Sequence, residues 1–134
     1  MYGNTMTFEG ALGSDPELKF STAGKAWAKF NVAVGSRKKD GDTWKDGPTT
    51  WITVKVFGQV AENAAESFQK GDRVIVSGKF ETEEWTTQSG EERKTLVVIP
   101  DLLGPSVRFK PTSTERITRR ATADGPDDLD VEPF

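Results

Sequence analysis

The residues of this chain best suited to chemistry are aromatic and basic rather than catalytic. Histidine and cysteine are both absent, which removes the commonest general base, the thiol nucleophile and the commonest metal ligands. Carboxylates remain, but Asp15, Glu17, Glu81 and Glu83 show no spacing diagnostic of a paired acid–base mechanism or of a carboxylate-held metal. No enzymatic activity, cofactor or metal is therefore expected. Four tryptophans, Trp27, Trp44, Trp51 and Trp85, fall in a short body with lysines close by. In Trp27–Val34, Ala28, Phe30, Val32 and Val34 share one face, and Trp27 and Lys29 lie on the other. In Thr50–Phe57, Ile52, Val54 and Val56 share one face, and Trp51, Lys55 and Phe57 lie on the other. Such alternation is that of strands with one buried side.

Aromatic rings that stand outside an aliphatic core, with cations between them, suit a ligand with flat faces and a charged backbone. Every nucleobase has a π-face, so stacking contributes about 1–3 kcal/mol per base whatever its identity. Two or three such stacks supply about 2–9 kcal/mol on that range, and lysines add phosphate neutralisation with release of counterions. The same pattern would also serve a subunit interface or cover the ends of a barrel, and a surface lysine is often simply solvated. On the nucleic-acid reading the stacking candidates are Trp27, Trp51, Phe57 and Trp85, and the phosphate candidates are Lys29, Lys55, Arg37, Lys38 and Lys39.

The elements that must position these side chains follow from periodicity and breakers. Strands are predicted over Asn4–Leu12, Trp27–Val34, Thr50–Phe57, Val74–Phe80 with an extension through Glu81–Trp85, and Lys94–Leu103. One helix is predicted over Gln59–Gln69, with Val60, Ala64, Ala65 and Phe68 at helical spacing and Lys70-Gly71 as the stop. Asp15-Pro16 and Ala23-Gly24 bracket a segment read as a loop that contains Leu18 and Phe20. The polar stretch Ser36–Thr49, with two glycines and a proline, is also read as a long exposed loop. Five short strands with a helix between the third and fourth predict an all-β OB-fold barrel; another small barrel, such as an SH3-like one, would give a similar strand count.

Charge divides the chain. The net value is −3, and from Thr112 to Phe134 six acids face three arginines. The tail therefore carries the whole excess and the body is neutral, so DNA affinity must rest on more than bulk charge. The expected organisation is a binding domain over residues 1–110 and a disordered acidic tail over 111–134. The tail ends in Asp127, Asp128, Leu129, Asp130, Val131, Glu132, Pro133 and Phe134. A terminal phenylalanine offers a ring and a carboxylate at one point, which a basic-rimmed apolar pocket on a partner could hold. A solubilising acidic terminus is the plainer reading. The acids could also compete for the lysine-lined face. No signal-peptide pattern or membrane-length apolar run is present, so a soluble, cytoplasmic protein without membrane contact is expected.

Several segments together resemble the bacterial single-stranded DNA-binding protein family. They are FEGALGSDPELKF (8–20), WAKFNVAV, TTWITVKVFGQVAENAAESFQKGDRVIVSGKF and EEWTTQSGEERKTLVVI, in order over roughly residues 4–109. LLGPSVRF (102–109) resembles the actinobacterial branch, and the acidic cluster ending in Pro-Phe resembles the family's partner-docking tip. The resemblance implies a non-enzymatic, nucleoid-associated homotetramer that covers single-stranded DNA in replication, recombination and repair. By position it implies stacking by Trp51, Phe57 and Trp85 with Lys55 near phosphates, and docking of replication and repair proteins by Asp127, Asp128, Asp130, Glu132, Pro133 and Phe134. It gives no support to Trp27, where the family tends to have a smaller apolar residue. Arg37-Lys38-Lys39 fall where the family often has an aromatic, so that charge replaces a stack there. Two departures stand out. Glu81, Glu83 and Glu84 replace basic residues usual before Trp85, and the linker to the tip is short and arginine-containing. Both suit an accessory or phage-encoded copy as well as a housekeeping one.

Overall fold

A computed structural model describes residues 3–114. Its strands are β1 (Thr5–Leu12), β2 (Glu17–Phe20), β3 (Ala26–Val34), β4 (Arg37–Asp40), β5 (Thr43–Asp46), β6 (Thr50–Phe57), β7 (Arg73–Thr86) and β8 (Glu92–Pro105), and the helix α1 (Gln59–Ser67) lies between β6 and β7. The sheet order is β1-β7-β8-β6-β3-β2, and β1 also pairs with β3. That pairing, Ala11↔Ala33 and Leu12↔Val32, closes β1, β7, β8, β6 and β3 into a ring. These are the five strands that alternation predicts, in the predicted order around the helix.

The ring closes because its inner faces are aliphatic and its crowded point lacks a side chain. Ala28, Phe30 and Val32 from β3, Ile52, Val54 and Val56 from β6, Val74 and Val76 from β7, and Val98 from β8 are all buried in one core. At the β1–β3 closure, a Cβ on Gly10 would run into the Ala33 carbonyl and lie 2.7 Å from Val32 Cγ1; only glycine lets the two backbones approach there. The other end of the ring is joined by β6 and β8, parallel, with Thr53↔Val97 and Val54↔Val98 in register.

Three expectations are corrected. The segment Ser36–Thr49 is not one loop: β4 and β5 form an antiparallel hairpin with Arg37↔Asp46 and Lys39↔Trp44 in register. Every residue of both strands is exposed, so no apolar alternation existed to reveal them. The supposed loop around Leu18 and Phe20 is likewise a strand, β2, held antiparallel on β3 through Leu18↔Ala28 and Phe20↔Ala26. The helix ends at Ser67 rather than Gln69, and of its predicted inner residues only Val60 does not face the core. Ala61 and Ala64 are its buried residues, and Val60 is exposed, because small side chains let the short helix lie close on the barrel. Phe68 still packs against the core, from the extended position that caps the helix.

Beyond β8, the chain is tied back over β1 and β7. Ser106 N–H donates to the Arg73 carbonyl at 3.0 Å, and the Ser106 hydroxyl donates to the Glu9 carboxylate. Arg108 and Arg73 approach the same carboxylate at 3.2 and 3.8 Å, and both guanidinium groups lie over the Phe109 ring, 4.7 Å for Arg73 and 5.1 Å for Arg108. The Ser106 hydrogen bond chiefly holds the Glu9 carboxyl below the ordinary carboxylate range; partial desolvation opposes it, and the arginines add to it. No described helix is long and apolar enough to cross a membrane.

Candidate nucleic-acid interface

The outward faces of β3 and β6 are set side by side by their register. Trp27 pairs with Phe57, Lys29 with Lys55, Asn31 with Thr53 and Ala33 with Trp51. All eight project away from the core, since their sequence neighbours are the buried aliphatics. The ladder thus interleaves aromatic, cationic and polar pairs along one surface. The Thr53 hydroxyl donates to Asn31 Oδ1 at 2.9 Å, which fixes the amide at the middle of the ladder.

A groove of about 520 Å³ runs beside this ladder, lined by Lys29, Asn31, Thr53 and Lys55 on one side and by Glu83, Trp85 and Thr95 on the other. The second side belongs to the long β7–β8 ribbon, in which Glu83↔Thr95 and Trp85↔Arg93 are paired. Trp85 Nε1–H donates to Thr95 Oγ1 at 2.9 Å, so one edge of the indole is anchored while the residue remains half exposed. Trp51 and Phe57 are 58% and 51% exposed, which leaves ring surface free for a ligand. Trp27 is only partly exposed, with the Lys19 ammonium 5.6 Å from its ring centroid.

The basic candidates are placed differently from one another. Lys29 and Lys55 face each other across the ladder, a like-charge pairing that is unfavourable when left alone. Lys55 is relieved by Glu83, whose Oε2 accepts from its Nζ at 2.7 Å; the lysine side chain is 24% exposed and the glutamate 41%. Among the described residues Lys29 has no ion-pair partner. Arg37, Lys38 and Lys39 stand on β4, away from the groove's lining, and Arg37 lies 3.9 Å from Asp46.

Two residues outside the sequence-based candidates belong beside them. Trp44 stands opposite Lys39 on the hairpin and is 59% exposed. A two-strand alternation of Arg37 and Lys39 with Trp44 and Asp46 was the available signal. Thr95, which orients Trp85, carried no signal, because its partner lies across a turn. The docking positions Asp127, Asp128, Asp130, Glu132, Pro133 and Phe134, and all of the expected tail beyond residue 114, fall outside the described residues. Among the described residues no group of three or more acidic, histidine or cysteine side chains could hold a metal ion.

A closed five-stranded ring with one helix between its third and fourth strands, and an aromatic-basic groove on its outer face, is an OB-fold barrel of the oligonucleotide-binding kind. Residues 3–108 match the model of the Single-strand binding protein family, and the chain belongs to that family. Among curated relatives, the single-stranded DNA-binding protein of Paenarthrobacter aurescens is 41% identical over 117 residues, which cover 86% of this chain and 68% of that protein. The protein of the same name from Mycobacterium tuberculosis H37Rv is 39% identical over 117 residues, 86% of this chain and 71% of that one. Among solved structures, the small single-stranded DNA-binding protein from Streptomyces coelicolor superposes with a TM-score of 0.72 at 26% identity, covering 80% of this chain and 97% of that one.

Proposed function

We propose that this chain binds single-stranded DNA without sequence preference and catalyses no reaction. Trp51, Phe57 and Trp85 stack on bases, with Trp27 on the same face. Lys29, Lys55, Arg37, Lys38 and Lys39 neutralise the backbone. The carrying observation is the β3–β6 register, which puts Trp51 and Phe57 on one solvent-facing ladder with Lys29 and Lys55 between them. Stacking platforms interleaved with cations are what sequence-tolerant single-strand binding requires.

The same reading assigns the binding domain to residues 1–110 and gives residues 111–134 to partner recruitment, with Asp127 to Phe134 as the docking tip. It places the protein in the cytoplasm, nucleoid-associated, in replication, recombination and repair. A homotetramer is part of it, supported by the apolar surface that Ile75, Leu102, Val107 and Phe109 leave exposed; light scattering of the full chain measures it.

The testing experiment is titration with a thymidine oligomer, following tryptophan fluorescence, with duplex DNA as control. Quenching by the single strand alone is expected, and Trp51→Ala should weaken binding by about 1–3 kcal/mol. A folded protein that binds neither would sink the reading. One observation favours a second reading, a barrel that keeps only protein contacts: the groove lysine Lys55 is already satisfied by Glu83. Absence of oligonucleotide binding alongside intact partner capture by the tail would establish it.

A further inference from the structure

Two acids line the groove where a phosphate track would run, Glu17 and Glu83. Glu17 stands in register with Lys29 without forming an ion pair among the described residues, and Glu83 alone is paired with a groove cation. Glu83 lines it together with Lys29 and Lys55, and its carboxylate meets the Lys55 ammonium at 2.7 Å, although β8 lies between their strands in the sheet order. Glu81 and Glu84 are exposed, and among the described residues neither has an ion-pair partner. Alternation along β7 puts Glu84 on the strand face opposite Glu83, where it pairs in register with Lys94.

We propose that Glu83 is a built-in stand-in for a DNA phosphate: it occupies the Lys55 cation in the free protein and must be displaced for the backbone to take its place. Three facts carry this. A carboxylate and a phosphate oxygen make the same charge-assisted contact to an ammonium. The opposed lysines, Lys29 and Lys55, would otherwise repel each other, so an anion between strands is wanted whether or not DNA is present. The pair is solvent-accessible on the glutamate side, 41% exposed, so an incoming anion can compete for it. Glu83 thereby lowers affinity and makes the apparent number of phosphate contacts smaller than the number of groove cations.

The inference rests on the single-strand reading of the barrel, and the test separates the two. Full-length wild type, Glu83→Gln, Glu84→Gln, Lys55→Gln and the Lys55→Gln/Glu83→Gln double variant are titrated with a thymidine oligomer across a salt series. Glu83→Gln should bind about two- to fivefold tighter at low salt, the range of an exposed ion pair. Its log–log salt slope should steepen by about 0.7, one further phosphate on a single strand. Glu84→Gln, the same charge change on the other face, should alter neither. In the Lys55→Gln background, Glu83→Gln should give no steeper slope. Equal gains from Glu83→Gln and Glu84→Gln would reduce the effect to general repulsion and overturn the proposal, as would a gain that survives without Lys55. Binding by wild type with no gain in Glu83→Gln overturns the inference alone; binding by neither overturns the single-strand reading and the inference with it.

Discussion

The Cζ3–Cη2 end of the Trp51 indole sits directly against Gly13: a Cβ on that glycine would come within 2.5 Å of the ring's Cζ3 and 2.9 Å of Cη2. Gly13 is itself held, its N–H donating to the Asn31 carbonyl at 2.8 Å. The end of the ring is therefore seated against hydrogen-bonded backbone at a position with no room for a side chain.

Gly13→Val should push the ring from this position while leaving the aliphatic core untouched. Affinity for a thymidine oligomer should fall by up to the about 1–3 kcal/mol that a lost stack is worth, with thermal stability close to wild type. Fluorescence titration and a melting curve measure both. Wild-type affinity in this variant would mean that this seating does not matter to binding.

Thr95→Val removes the acceptor for Trp85 Nε1–H and keeps the side chain's shape. Loss of about 0.5–1.5 kcal/mol in oligomer affinity is expected, the usual worth of one hydrogen bond, and Thr95→Ser should restore it. A serine variant as weak as the valine variant would show that the hydroxyl is not what holds the indole in a useful pose.

The Glu9 cluster makes stability fall in acid. Because its carboxyl titrates lower in the folded chain than in the unfolded one, its contribution is complete above the unfolded value. It is lost as pH drops through the depressed folded value. Melting temperatures of wild type and Glu9→Gln should differ at neutral pH and converge on acidification. A constant difference down to pH 3 would disprove a titrating role for this carboxylate.

What could be read from residue order was whatever water imposes at period two. Phe30 and Val54 had to be inside once Lys29 and Lys55 were outside, so β3, β6 and their outer aromatics followed directly. The β4–β5 hairpin was hard to read because every residue of both strands meets water, so its only trace was the spacing of exposed charges around Trp44. Val60 and Ala61 exchanged roles because proximity, not hydrophobicity, decides which side of a short helix faces a crowded barrel. Lys55 and Glu83 are 28 positions apart on strands that do not neighbour each other in the sheet. Their meeting depends on how the β7–β8 ribbon curves over the groove, a tertiary property with no local signature.

The ring's two short joints have a mechanical consequence. Long antiparallel ladders unite β3 with β6 and β7 with both β1 and β8, whereas β1–β3 and β6–β8 share only two residue pairs each. The barrel is thus two stiff panels hinged along two narrow seams. The groove straddles one of them, with Lys29 and Lys55 on one panel and Glu83 and Trp85 on the other. A strand of nucleic acid lying in it would act as a clasp across the hinge. Amide exchange at Thr53, Val54, Val97 and Val98 should then report occupancy of the groove, even though their own side chains need not touch the ligand.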